Sequence, residues 1–244
     1  MLKLLALVYG VVVYCLFGLT WVYFVGFLGG FPVPKGIDAG AVVPVPEALG
    51  IDLGCLAVFF AHHSVMARAG IKRALARLVP PAVERTTYVL VSSLAIVLVM
   101  AMWRPLPGVV WQAGGTARVV VLAVFWTGVL VTLAGSHMID GLHLFGVRQV
   151  LAYFRGRVLP STPFRMPGLY RLVRHPMMTG MLMSFWAAPT MTQGRLVFAA
   201  AMTAYTLAAV KWLEERDLRK TLGSDYESYQ RDVPMLIPVR LPRR

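Results

Sequence analysis

LLALVYGVVVYCLFGLTWVYFVGFLGG, Leu4 to Gly30, runs without a single charged residue. At 1.5 Å of rise per residue it is long enough to cross a hydrocarbon core about 30 Å thick. It is too long for the core of a secretory signal and no convincing cleavage site follows it, so it is expected to stay as a membrane helix. Further apolar runs lie near 48–66, 87–103, 118–138, 176–192 and 195–213, each meeting or approaching the same length. Pro189 and the short Thr192-Gln193-Gly194 link predict a tight antiparallel hairpin between the last two. The expected fold class is all-α, a polytopic membrane helix bundle of about six transmembrane helices. It forms one domain over residues 1–244, with the first four spans in 1–150 and a C-terminal part in 151–244.

Composition agrees. Only 14% of the 244 residues are charged and the mean hydropathy is +0.68, whereas a soluble domain averages about 25% charged. The net charge of +13 does not point to nucleic acid, because the basic residues fall in loops beside apolar runs, where positive charge is held on the cytoplasmic side. Arg68, Lys72, Arg73, Arg77 and Arg85 fill one such loop against Glu84. Arg148, Arg155, Arg157, Arg165, Arg171 and Arg174 fill another against Asp140. The alternate loops hold little beyond Lys35, Asp38, Glu47, Arg104 and Arg195. Both termini are therefore expected to be cytoplasmic. Cys15 and Cys55 both sit inside apolar runs and read as small buried hydrophobes, with no disulfide framework.

On that orientation the polar residues fall at one end. His62 and His63 close the second run, and Ser136 and His137 the fourth, followed by Asp140 and His143. Arg174 and His175 open the fifth, and Glu214 and Glu215 close the sixth. A cytoplasmic mouth lined by titratable groups is the expected site.

Each cue has a structural alternative. His175 is an interfacial cap or, with Arg174 before it and Pro176 after it, part of an anion-binding helix start. Gly180, one turn on, is expected to let a flat ligand approach the backbone. Lys211 and Arg219 stand at helical spacing from Glu215 and suggest a structural role for it. Glu214 has Leu218 four residues on and opposes the helix dipole, which makes it the better functional carboxylate. His62 and His63 point about 100° apart on a helix and do not both face one ligand. No spacing resembles a zinc site, and no metal is expected. The methionines of the fifth run, from Met177 to Met191, read first as packing.

The segments Tyr170-Arg-Leu-Val-Arg-His-Pro176, Gly180, Glu214-Glu-Arg-Asp-Leu218, Gly223-Ser-Asp-Tyr-Glu-Ser-Tyr229 and Val233-Pro-Met-Leu-Ile-Pro238 together resemble the isoprenylcysteine carboxyl methyltransferase superfamily of membrane methyltransferases. His63-Ser-Val-Met-Ala-Arg68, Glu84-Arg-Thr-Thr-Tyr88, Trp103-Arg-Pro-Leu-Pro-Gly-Val-Val-Trp111, Leu144-Phe-Gly-Val-Arg-Gln149 and Ala188-Pro-Thr-Met-Thr192 are similar to the bacterial methanethiol S-methyltransferases within it. NnrU-type proteins share the His-Ser-x-x-Ala-Arg element and look like a less complete match.

The resemblance implies S-adenosylmethionine as cofactor, methanethiol as the small thiol substrate, dimethyl sulfide as product and the bacterial inner membrane as location. It implies cofactor binding by Tyr170, Arg174, His175, Pro176, Gly180, Glu214, Glu215, Tyr226, Tyr229 and Pro238. In this reading Arg174 and His175 take the cofactor carboxylate, Glu214 its ammonium or ribose, and the tyrosines with the Pro234–Pro238 segment fold back as a lid. A thiol is mostly protonated at neutral pH, so a proton acceptor is needed. His63 and His137 are the candidates, with Asp140 orienting a ring and Arg148 stabilising the thiolate. A lipid-like acceptor and a small non-enzymatic transporter are the competing expectations.

Overall fold

A computed structural model describes residues 1–66, 68, 71, 79–159 and 165–239. Lys72, Arg73 and Arg77 of the first basic loop lie outside the described residues. Among the described residues, five helices are long and apolar enough to cross a membrane. The chain is a polytopic, helical integral membrane protein. The helices group into two compact units, residues 1–108 with 140–161, and 109–139 with 162–244.

The first unit holds α1 (Leu2–Gly29), α2 (Val45–Met66), α3 (Pro81–Met102), the single turn α5 (Gly141–Leu144) and α6 (Val147–Arg155). α1 follows from its uncharged sequence and stops at Gly30, whose left-handed φ of 71° returns its N–H to the Gly26 carbonyl. Leu5, Val8, Val12, Leu19 and Val22 stand exposed along it, a surface suited to lipid tails and not to water. α3 starts at Pro81, whose missing N–H costs nothing in a first turn. It packs against both α1 and α2, and α6 rests on α1 and α3. Lys35 caps the far end of α3, donating from Nζ to the carbonyls of Ala101 at 2.6 Å and Trp103 at 2.9 Å. The buried Asp52 carboxylate accepts the next free N–H there, from Arg104 at 2.8 Å.

The second unit holds β1 (Val109–Gln112), α4 (Gly115–Met138), a 3-10 turn at Gly168–Arg171, α7 (Pro176–Trp186), β2 (Thr190–Thr192), α8 (Gln193–Ala209), α9 (Glu215–Leu222) and α10 (Ser224–Asp232). A π turn, Val210–Glu214, joins α8 to α9 into one continuous 30-residue rod. The antiparallel strands pair Trp111 with Met191 and Gln112 with Thr190. α4 and α7 cross in close contact. At the crossing, a Cβ built on Gly180 would fall closer than 3.0 Å to the Gly128 carbonyl and to Thr132.

Two expectations are corrected. The fifth apolar run was expected to be helical over 176–192, but α7 ends at Trp186. Its eleven residues rise about 16 Å, roughly half a hydrocarbon core. Pro189 cannot continue the helix, and the residues after it extend to pair with β1. The return to α8 therefore runs through a strand. The sixth helix, expected to close near 213, instead continues to Leu222 through the π turn.

Candidate active site

The C-terminal unit builds its polar centre from the loop before α7. The 3-10 turn turns the chain, Val173 is buried, and Arg174 and His175 follow directly at the mouth of α7. Their backbone N–H groups, left over at the helix start, donate to the carbonyls of Pro234 at 2.9 Å and Met235 at 3.1 Å. Thr179, one turn into α7, adds a hydroxyl bond to the Leu236 carbonyl at 2.7 Å. Residues 234–236 are thus strapped across the entrance of α7.

Side chains lock the strap. Arg174 donates from Nε to Glu215 Oε1 at 2.8 Å, and its Nη2 lies 2.6 Å from the same oxygen. Its Nη1 donates to the carbonyls of Gln230 at 3.1 Å and Val233 at 2.5 Å. The other carboxylate oxygen of Glu215 accepts from Gln230 Nε2 at 2.9 Å. Arg174 is 11% exposed and Glu215 7%, so the pair is desolvated and satisfied from all sides, the condition under which a buried ion pair is tolerated.

His175 joins Glu215 to Glu214. Its Nε2 lies 3.2 Å from Glu215 Oε1 and its Nδ1 3.6 Å from Glu214 Oε1. Burial alone would lower its pKa, but the bonds and charges of the two carboxylates outweigh burial and raise it from 6.5 to about 9. At neutral pH the ring is an imidazolium, its Nε2–H donating to Glu215 and its Nδ1 side forming an ion pair with Glu214. The π turn sets this up: neighbouring carboxylates diverge by about 100° on a helix, and these two straddle one ring. Glu214 is the accessible member, 46% exposed.

The tyrosines finish the centre. Tyr229 donates its hydroxyl to the Tyr170 carbonyl at 2.5 Å, and Tyr170 donates to the Gly135 carbonyl at 3.3 Å. Tyr226 is buried edge-on against Tyr229, with centroids 5.8 Å apart. Burial pushes the hydroxyls of Tyr170 and Tyr226 above their ordinary range. It lifts Tyr229 to about 12, against the opposing pull of Arg174. All three stay neutral, and Tyr170 and Tyr229 serve as hydrogen-bond donors.

The structure thus brings together Tyr170, Arg174, His175, Pro176, Glu214, Glu215, Tyr226 and Tyr229. Several of their contacts differ from expectation. Arg174, expected to take a cofactor carboxylate, has its donors engaged by Glu215 and two carbonyls. Gly180, expected to face a flat ligand, instead admits α4. Glu215 pairs with Arg174, His175 and Gln230. Pro238 is exposed, beyond the last strap bond at Leu236. The donor set fits a ligand carrying an amine and hydroxyls, because Glu214 keeps carboxylate surface open beside a cationic ring. Among the described residues, no group of three or more His, Cys, Asp or Glu is placed to hold a metal.

The other candidates are distributed differently. His137 lies exposed in the last turn of α4. In the first unit, Asp140 adopts a left-handed φ of 68° and caps α5, accepting the His143 backbone N–H at 3.3 Å. Its other oxygen lies 2.9 Å from Arg148 Nη1. Its partners among the described residues are therefore a backbone N–H and a guanidinium, not a histidine ring. His63 meets the Tyr88 hydroxyl, 2.8 Å from Nδ1, and His62 meets Ser92 at 3.3 Å. Sequence reading missed both of these α3 partners, as well as Gln230 and Thr179.

Known proteins resemble the chain along almost its whole length. Methanethiol S-methyltransferase 2 of Bradyrhizobium diazoefficiens is 46% identical over 242 residues, which cover 99% of this chain and 93% of that protein. Methanethiol S-methyltransferase of Mycobacterium tuberculosis is 43% identical over 239 residues, 98% of each chain. The chain belongs to the methanethiol S-methyltransferase family. It also belongs to the NnrU protein family, whose model matches residues 53–238. That match runs from α2 through the strap, far beyond the one element the sequence reading assigned to it. Nurim of Sus scrofa is 32% identical over 209 residues, 79% of each chain. No solved structure matches.

Proposed function

We propose that the chain transfers a methyl group from S-adenosylmethionine to the sulfur of methanethiol, giving dimethyl sulfide, at the cytoplasmic face of a bacterial inner membrane. The observation that carries this reading is the kinship with methanethiol S-methyltransferases over 98–99% of the chain, which includes every segment of the locked centre.

The sulfonium donor, when bound, supplies an electrophilic methyl carbon. Glu214 accepts hydrogen bonds from its ammonium or ribose hydroxyls, with His175 holding that carboxylate in place. Arg174 and Glu215 keep the strap closed, and so act on the cofactor through position. Tyr226 and Tyr229 hold the strap side of the centre. Displacement at the methyl carbon needs alignment and exclusion of water more than covalent help. A histidine takes the thiol proton, with His63 and His137 as the candidates. The basic loops set both termini in the cytoplasm.

The test is headspace detection of dimethyl sulfide from purified protein in detergent, supplied with S-adenosylmethionine and methanethiol. Product formation that is lost in Glu214→Ala supports the reading. Cofactor binding without product removes methanethiol as acceptor, and no cofactor binding removes the donor.

A further inference from the structure

Several guanidinium groups of this chain are answered from within: Arg85 by the Leu144 carbonyl, Arg148 by Asp140 and Arg174 by Glu215. Lys3, Arg155 and Arg157, all in the first unit, are not. Each is exposed, and among the described residues none of the three forms an ion pair. They nevertheless converge. α6 is keyed to α1 at the buried Val150, whose Cγ1 would lie 2.9 Å from a Cβ built on Gly10. α6 ends at Gly156, whose left-handed φ of 67° returns its N–H to the Ala152 and Tyr153 carbonyls. Arg157 N–H follows it to the Ala152 carbonyl at 2.9 Å. That turn meets the first turn of α1, so that a Cβ built on Gly156 would lie 3.4 Å from Lys3 Nζ. Arg155 and Arg157 flank this glycine in sequence. Like charges repel, and a cation in the first turn of α1 also opposes that helix's dipole, with no acidic residue there to offset it. An outside anion reverses both effects.

The neighbouring surface identifies the anion's class. Leu2, Leu4, Leu5 and Val8 are exposed along the same end of α1, and Tyr153 and Phe154 are exposed on α6. Apolar side chains suit acyl tails, and an aromatic ring with a polar tip suits the level of the headgroups. A cationic group bordered by such a surface matches a molecule with a phosphate at one end and hydrocarbon at the other. A free phosphate would leave the apolar part unused. We propose that Lys3, Arg155 and Arg157 form a headgroup site for an anionic phospholipid at the membrane edge of the first unit. A zwitterionic lipid carries its own ammonium beside the phosphate, so its net attraction to three cations is weaker. The site lies outside the locked centre and does not rest on the methyl-transfer reading.

The experiment titrates the full-length protein, in a neutral detergent, with dioleoyl phosphatidylglycerol or dioleoyl phosphatidylcholine, and counts bound lipid by native mass spectrometry. Phosphatidylglycerol should be preferred by on the order of 100-fold, about 5-fold for each cation, and the preference should shrink as salt rises. Replacing all three cations, Lys3→Gln with Arg155→Gln and Arg157→Gln, should erase the preference and leave phosphatidylcholine binding unchanged. Each single replacement should remove about 5-fold, so the proposal stays testable even where the triple variant fails to fold. Lys3→Arg with Arg155→Lys and Arg157→Lys should keep the preference, because charge is what the site supplies. Arg118→Gln, which removes an exposed cation of the second unit, should change nothing. Equal binding of the two lipids by the unaltered protein, or a preference that survives the triple replacement, would overturn the site. An equal loss in Arg118→Gln would reduce it to overall charge. Displacement of phosphatidylglycerol by an equal concentration of glycerol 3-phosphate would show a site for soluble phosphate and overturn the lipid assignment. No readout involves methyl transfer, so this proposal and that reading fail separately.

Discussion

Two arginine–carboxylate pairs, Arg174–Glu215 and Asp140–Arg148, have similar separations and opposite consequences. The first closes at 2.6 Å with its members 11% and 7% exposed, the second at 2.9 Å with Arg148 52% and Asp140 22% exposed. Distance is therefore not what separates them. Around Glu215 the protein has replaced water with Gln230, His175 and the carbonyls that share Arg174. Arg148 keeps much of its hydration, so its attraction to Asp140 is screened. A buried pair is a poor source of net stability but a costly thing to break, because its survivor is left charged and dry.

The sharpest way to break the comparison is Glu215→Ala. It strands Arg174 and His175, and should cost about 3–5 kcal/mol, read as a large drop in the thermal midpoint of the detergent-solubilised protein. A loss no greater than that of an exposed pair would mean the centre is wetter than its geometry implies.

Next in size is a pH effect. The folded pKa of His175 lies near 9, above its ordinary 6.5, so folding binds its proton more tightly. The resulting stabilisation is complete below about pH 6.5 and fades as pH rises through 9, by on the order of 3 kcal/mol in all. Thermal midpoints of the native protein and His175→Asn should converge over that window. Parallel pH curves would show that the ring is not protonated in the fold.

Glu214→Ala should lower the midpoint less than Glu215→Ala does, because it removes one of the two carboxylates that hold the His175 proton, and weaken S-adenosylmethionine binding by about 10–100-fold, the worth of a charge-assisted bond of about 1.5–3 kcal/mol. Isothermal titration decides it, and intact affinity would take Glu214 out of the cofactor site. The smallest effect belongs to Arg148→Ala, at most about 1 kcal/mol and reduced by salt. A larger, salt-insensitive loss would dissolve the contrast between the pairs.

What the sequence makes legible follows the range of the forces. α1 is readable because an uncharged run of its length has few other fates in water or lipid. The end of α7 is not. Ala187 to Met191 remain apolar, and what stops the helix is Pro189 together with strand pairing to residues nearly eighty positions earlier. The partners of Glu215 were misread for a local reason. Lys211 stands four residues before it, a helical neighbour only if the helix is α, and the π turn at Val210–Glu214 removes that register. The contacts of His63 with Tyr88 depend on how α2 and α3 slide past one another, which no spacing within either helix encodes.

The strap has a consequence in time. Arg174 takes two of its acceptors from Gln230 and Val233, and the backbone of α7's entrance takes two more from Pro234 and Met235. Synthesis runs from the N-terminus, so a growing chain carries Arg174 and Glu215 into place before the groups that complete them exist. The centre closes only when residue 236 has been made. A product that stops before Gln230 therefore leaves Arg174 without two of its acceptors and the charge cluster half-solvated.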